Sequence, residues 1–172
     1  MAKIFLVDTM FHIYRAYHAL PPLNAPDGTP TQAVRGVVGI LSNLWKSERI
    51  RHLACVFETL EIGIRSQTFP DYKANRPQTP PDLKSQVPLV EEACRSLGIP
   101  TFRCDPYEAD DVLATLAVKA VRAGHEAVIV SNDKDLAQLC IHPEVQVLRI
   151  KGQGKNAALE YIDGSQVERL FG

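Results

Sequence analysis

Ala127-Val128-Ile129-Val130-Ser131-Asn132-Asp133-Lys134-Asp135 is the stretch that decides the fold. Its first four residues form a short, continuous apolar run, the pattern of a strand covered on both faces. The run then breaks into a polar turn with two acids around a lysine, and Asp135 stands where it can cap a short helix over residues 136–140. The same grammar recurs. Residues 3–7 run into Asp8 and residues 52–57 into Glu58, while residues 99–103, 145–150 and 159–162 supply three further strands, the last at an edge.

Helical patterns fill the intervals. One covers residues 11–20 and is stopped by Pro21-Pro22. A second is opened by Thr29-Pro30-Thr31-Gln32, a capping box with proline at the first helical position, and carries Val34, Val37, Val38, Leu41, Leu44 and Trp45 on one face. A third spans residues 89–97 and ends at Gly98. Asp105-Pro106-Tyr107-Glu108 gives another proline-started capping box, followed by a buried stripe of Val112, Leu113, Leu116, Ala117, Ala120 and Val121. Residues 165–171 form the last helix. Strands and helices alternate throughout, which predicts an α/β fold: a doubly wound, mainly parallel sheet flanked by helices.

The 172 residues suit one domain, and a hydrophobic content of 45% supports a real core. A net charge of −1 excludes a bulk polycation but not a local basic patch. Cys55, Cys94, Cys104 and Cys140 show no C-x-x-C spacing and read as reduced, mostly packed thiols. The first residues run straight into a strand with no signal-peptide pattern, and no apolar run has membrane-spanning length, so the expectation is a cytoplasmic protein with no membrane partner.

Acids from four places sit where strands end and helices begin: Asp8, Glu58, the trio Glu108, Asp110 and Asp111, and the pair Asp133 and Asp135. Open α/β sheets place their ligand sites at that edge. Taken singly, each acid has an ordinary use as a helix cap or a first-turn charge complementing the helix dipole. Together they repel one another, and such a gathering points to bound divalent cations. If the segment around Lys134 is extended, Asp133 and Asp135 project the same way. Magnesium takes one or two carboxylates with waters and phosphate oxygens, and a pair of ions can promote in-line phosphodiester cleavage. The five histidines fall in no ligand pattern, and no zinc spacing occurs.

Residues 61–86 are poor in large aliphatics and carry Arg65, Lys73, Arg76 and Lys84 around Tyr72. Alone, such a loop is a solubilising surface. Beside an anionic metal site, Tyr72, Lys73 and Arg76 make sense as phosphate and base contacts, with Arg15, Arg35 and Lys134 as further candidates. A phosphatase does not fit, because Asp8-Thr9-Met10 lacks the second acid of a D-x-D nucleophile. No P-loop is present.

Asp8 followed by Tyr14-Arg15-Ala16-Tyr17-His18-Ala19, then Val56-Phe57-Glu58, Tyr72-Lys73-Ala74-Asn75-Arg76-Pro77, Glu108-Ala109-Asp110-Asp111 and Asp133-Lys134-Asp135 occur in this order. The set resembles the N-terminal resolvase-like, PIN-type part of bacterial 5′-3′ exonucleases and flap endonucleases, from residue 3 to about residue 171. The resemblance implies a PIN-like domain with a mobile helical arch at about 61–86. It also implies hydrolysis of DNA at a 5′ end or flap with Mg²⁺ or Mn²⁺, two ions in the complete family site. It places Asp8, Glu108, Asp110, Asp111, Asp133 and Asp135 at catalytic metal positions, with Glu58 as a further ligand, and Tyr72, Lys73 and Arg76 in the arch that takes the single-stranded 5′ end.

Glu58 stands where the family usually has Asp. Asn132 and Thr9 stand where glycine is common. Relatives carry a further acidic loop and a helix-hairpin-helix duplex-binding module after the position of Gly172, and a polymerase region is a possible partner. Two other readings follow: a nucleic-acid-binding domain whose second metal site is incomplete, and a PIN-type ribonuclease. The length of the 61–86 segment argues against the latter.

Overall fold

The computed structural model describes residues 1–59, 62–73, 77–152 and 157–171, and its first strand shows how the layers arise. In β1 (Lys3–Asp8), Phe5 and Val7 face one hydrophobic layer and Leu6 the other, the two-residue alternation of a strand buried on both sides. The chain continues through α1 (Thr9–Ala19), α2 (Gln32–Glu48), β2 (His52–Val56), α3 (Ile64–Thr68), α4 (Pro81–Ser96), β3 (Thr101–Phe102), α5 (Ala109–Arg122) and β4 (Glu126–Val130). A 3-10 helix (Asp135–Ile141), β5 (Val145–Lys151), β6 (Ala158–Ile162) and α6 (Gly164–Phe171) complete it.

The sheet order is β3-β2-β1-β4-β5-β6, parallel except for the antiparallel β6. The predicted doubly wound sheet is therefore present, with β6 as the edge. One layer packs Ile13, Val37, Leu41, Leu44, Leu83 and Val90 of α1, α2 and α4 onto the sheet. The other packs Leu113 and Ala117 of α5 with Leu136 and Cys140 of the 3-10 helix. After β1 the chain builds outward to β2 and β3, then returns to place β4 on the other side of β1. That reversal opens a crevice at the carboxyl ends of β1 and β4.

Four local expectations change. The helix predicted at 89–97 begins two turns earlier, at Pro81. Leu83, Gln86, Val90 and Cys94 make a continuous buried stripe, and it carries the helix through Pro88. Thr29 does not cap α2. Thr31 is the residue before the helix, its N–H and hydroxyl both donate to the Leu23 carbonyl, and the Ala33 N–H is taken by Gln86 Oε1 at 2.8 Å. Trp45 lies about 80° round the helix from Val37 and is 51% exposed. The capping box of α5 begins at Glu108 rather than Asp105, with Asp111 as its other member.

Helices α1 and α2 touch closely. A Cβ on Gly36 would stand 2.4 Å from the Ala16 Cβ, so glycine is required there for lack of space. The base of α4 is fastened to the same pair. Tyr17 donates to Asp82 at 2.6 Å, Tyr14 hydrogen-bonds Thr79, and the fully buried Gln86 reaches α2.

Candidate active site

Asp8 is the last residue of β1 and the cap of α1, where its Oδ1 accepts the Phe11 N–H at 3.2 Å. Its Oδ2 accepts the Ser131 hydroxyl at 2.8 Å, across the β1–β4 crevice. Ser131 is fully buried, and its Oγ also accepts the Asp133 N–H at 3.1 Å. One hydroxyl thus fixes two acids from neighbouring strand ends. Burial pushes the Asp8 carboxyl up to about 6, opposed by the bonds from Ser131 and Phe11 and reinforced by the charges of Asp110 and Asp133.

Asp110 enters from the first turn of α5. Its carboxyl is raised by burial first, then by Asp133. Each of these shifts means that negative charge is confined here with little water to screen it. Glu58 closes the next strand, accepting the Ala109 N–H at 3.2 Å, and burial raises its carboxyl as well. Arg103 supports it from behind, donating to the Glu58 carbonyl at 2.8 Å and to Glu91 at 2.9 Å. Beside Glu58 opens a hollow of about 780 Å³ lined by Met10, Thr59, Lys84 and Arg103.

Cations close the other side. Arg65 makes a two-pronged pair with Asp111, at 2.8 and 2.6 Å, and a third bond to Glu108 at 2.9 Å. The Asp111 bond holds that guanidinium above its ordinary range. Lys73 donates to Glu108 Oε1 at 2.9 Å, and the Tyr72 hydroxyl to Glu108 Oε2 at 3.1 Å. Lys73 adopts φ +59°, a left-handed conformation costing a non-glycine residue roughly 1–2 kcal/mol. Asp111 also accepts the Glu108 N–H at 3.2 Å, so its oxygens are largely taken up within the chain.

The predicted site residues therefore divide. Asp8, Asp110 and Asp133 meet at the crevice, Glu58 flanks them, and Glu108 and Asp111 face Arg65, Tyr72 and Lys73. Asp135 is exposed and starts the 3-10 helix. The segment around Lys134 is not extended, and it is Asp133 Oδ1 that accepts the Asp135 N–H, at 2.9 Å. Asp133 thus closes a turn just ahead of the 3-10 helix, and Asp135 is the first residue of that helix rather than its cap. Arg15 donates to the carbonyls of Ile150, at 2.6 Å, and of Gly152. Arg35 and Lys134 are exposed, and Arg76 lies outside the described residues. His12, which reads from sequence as a surface or packing residue, is buried with its Nε2 at 3.2 Å from the Val130 carbonyl. Ser131, Arg65 and Arg103 contact the candidate site residues and were not among those predicted. Only a hydroxyl ending an apolar run, and a basic residue in an acid-facing loop, hinted at the first two.

Among the described residues, no three carboxylate, histidine or cysteine side chains are gathered into a ready cage for an ion. The chemistry of the set still fits a hard cation. All donors are carboxylate oxygens, and the charge of Asp133 helps raise the carboxyls of both Asp8 and Asp110, a repulsion that a divalent ion would relieve. No helix among the described residues is long and apolar enough to cross a membrane.

Comparison with known proteins gives the family and the fold. The model of the 5′-3′ exonuclease N-terminal resolvase-like domain matches residues 3–172. DNA polymerase I of Pseudomonas aeruginosa is 44% identical over 138 residues, covering 80% of this chain and 15% of the polymerase. A 5′-3′ exonuclease of Aquifex aeolicus is 40% identical over 139 residues, covering 81% of this chain and 48% of that protein. The chain thus spans at most about half the length of these curated relatives. The phage T5 D15 protein co-crystallised with metal ions has the same fold, with a TM-score of 0.69 at 20% identity over 86% of this chain and 55% of its own. Human GEN1 in complex with Holliday junction DNA gives 0.60 at 15% identity, over 97% of this chain and 39% of its own. With residues 3–172 matched by the family's domain model, the chain belongs to the 5′-3′ exonuclease family, as its N-terminal resolvase-like domain.

Proposed function

We propose that this chain is the metal-dependent catalytic part of a 5′ nuclease that hydrolyses DNA phosphodiester bonds at a 5′ end or flap. The observation that carries the reading is the convergence of Asp8, Asp110 and Asp133 at the β1–β4 crevice, opposite Tyr72 and Lys73. A structure of the T5 D15 flap endonuclease, described as a pseudo-enzyme-product complex with DNA and metal ions, shares the fold at 21% identity and a TM-score of 0.65. This supports the reading.

In this reading Asp8, Asp110 and Asp133, with Glu58 and Glu108, hold one or two Mg²⁺ or Mn²⁺ ions, and Asp111 and Asp135 act at the margin. The ions supply an activated water and a stabilised leaving oxygen. The rest falls to the chain. Ser131 keeps Asp8 and Asp133 in register, and Arg103 holds the Glu58 backbone. Lys73, Tyr72 and Arg76 meet the phosphates of the incoming strand. Arg35 and Lys134 contribute exposed positive charge, and Arg15 steadies the end of β5 beside it. The partners are DNA, and the further regions of the longer proteins to which the relatives belong.

The direct test is cleavage of a 5′-labelled flap DNA with Mg²⁺ or Mn²⁺ by the parent chain and by Asp110→Asn, beside an RNA flap of the same shape. Cutting of DNA by the parent alone supports the reading, and preference for RNA refutes it in favour of a ribonuclease. A second reading is a nucleic-acid-binding domain that needs additional ligands to cut, and the lack of a ready cage among the described residues is compatible with it. A folded parent that binds the flap without cutting it would establish that one.

A further inference from the structure

Glu108 is the most heavily engaged acid of the site. It is buried to 7% exposure and receives Arg65 at 2.9 Å, Lys73 at 2.9 Å and Tyr72 at 3.1 Å. Among the described residues, Asp8, Asp110 and Asp133 form no ion pair. The acids thus fall into an open group at the crevice and a closed group under the 64–73 segment. Two cations serve the closed group differently. Arg65 forms a planar, two-pronged pair with Asp111, a geometry that resists exchange. Lys73 contributes a single ammonium point charge on a flexible stem, from a backbone conformation that lysine rarely adopts.

We infer that Lys73 is an exchangeable stand-in for a divalent cation at Glu108. In the metal-free protein its ammonium neutralises the buried carboxylate. A divalent ion held by Glu108 would take over that neutralisation, and Lys73 would then be free to leave its left-handed conformation and to turn its ammonium to the strand's phosphate. Arg65 remains on Asp111 throughout and keeps the segment attached to the start of α5. The inference rests on the metal-dependent reading above and adds an order of events: metal loading first arms the phosphate-contacting lysine. Glu108 is meanwhile held toward Lys73 at 2.9 Å.

The test is Mn²⁺ binding without DNA, followed by calorimetry and by the electron-spin signal of free Mn²⁺, for the parent, Lys73→Met and Lys134→Met. The last removes the same charge from an exposed residue next to Asp133 and so measures general electrostatics. Displacing one charged hydrogen bond predicts that Lys73→Met binds Mn²⁺ about tenfold more tightly than the parent, with a clearly smaller gain for Lys134→Met. As a second readout, Mg²⁺ should move the Lys73 Cε resonance of the parent to the position of a free lysine, and leave the Arg65 guanidinium signals in place. Equal gains in the two variants, or a Lys73 resonance unmoved by saturating Mg²⁺, would overturn the exchange while leaving the metal site intact. No Mn²⁺ binding by any of the three would sink the metal-dependent reading itself, and the exchange with it.

Discussion

Two buried groups near the start of α1 should impose opposite pH dependences on stability, and Asp8→Asn separates them. The Asp8 carboxyl is raised from 3.8 to about 6, by burial above all. Between those values the native protein holds a proton that the unfolded chain releases. Stability from this group is therefore full below pH 4 and is lost as pH rises through 6. A shift of that size amounts to about 3 kcal/mol at neutral pH. His12 runs the other way. Burial lowers it from 6.5 to about 4, so the unfolded chain takes up a proton that the native one refuses. Its contribution is full above pH 6.5 and falls by about 3 kcal/mol as pH drops toward 4. In the parent the two slopes nearly cancel. In Asp8→Asn the amide oxygen still accepts from Phe11 and its NH₂ faces the Ser131 oxygen, so packing is kept while the ionisation is removed. Urea unfolding in EDTA, from pH 4 to pH 8, should show the variant no more stable than the parent at the acid end and about 3 kcal/mol more stable above pH 6.5. The curve of the variant should rise steeply over the interval where the parent's is shallow. An offset independent of pH, or a variant less stable at pH 7.5, would refute the reasoning.

Further outcomes follow from other contacts. Ser131→Ala leaves Asp8 Oδ2 and the Asp133 N–H without their shared partner, and should cost about 1–3 kcal/mol in urea titrations while weakening Mn²⁺ binding. Gly36→Ala drives a methyl to within 2.4 Å of the Ala16 Cβ, so thermal unfolding should report a loss of about 1–3 kcal/mol despite alanine's better helix propensity. Adding Ala16→Gly should restore most of it. Of the four cysteines only Cys104 is exposed, so a thiol reagent should titrate one group quickly in the native protein and the other three only on unfolding.

The sheet was legible because its strands are buried on both faces, and burial writes itself into sequence as runs such as Phe5-Leu6-Val7 and Val128-Ile129-Val130. Their acidic ends were legible for the same reason, since a charge after such a run must stand at the sheet's rim. The beginning of α4 was not. Pro80-Pro81 and Pro88 read as breakers, yet the first two start the helix and Leu83, Gln86 and Val90 bury enough to carry it past the third. The turn that Asp133 closes onto the Asp135 N–H was hidden because a 3-10 turn and an extended segment share the same letters. Arg65 and Ser131 were no more than hinted at as site residues, because the partners that place them lie 46 and 123 positions away.

The segment between α3 and α4 is held at both feet. The Ile64 N–H donates to the Pro106 carbonyl at 3.0 Å, and Gln86 docks α4 onto α2. A span pinned at its ends behaves as a closed loop, and doubling the length of such a loop costs only about 0.6 kcal/mol. Changes of length between Lys73 and Thr79 therefore carry little penalty for the sheet. The sheet beneath and the segment above it can in that sense diverge separately, provided Tyr72 and Lys73 still reach Glu108.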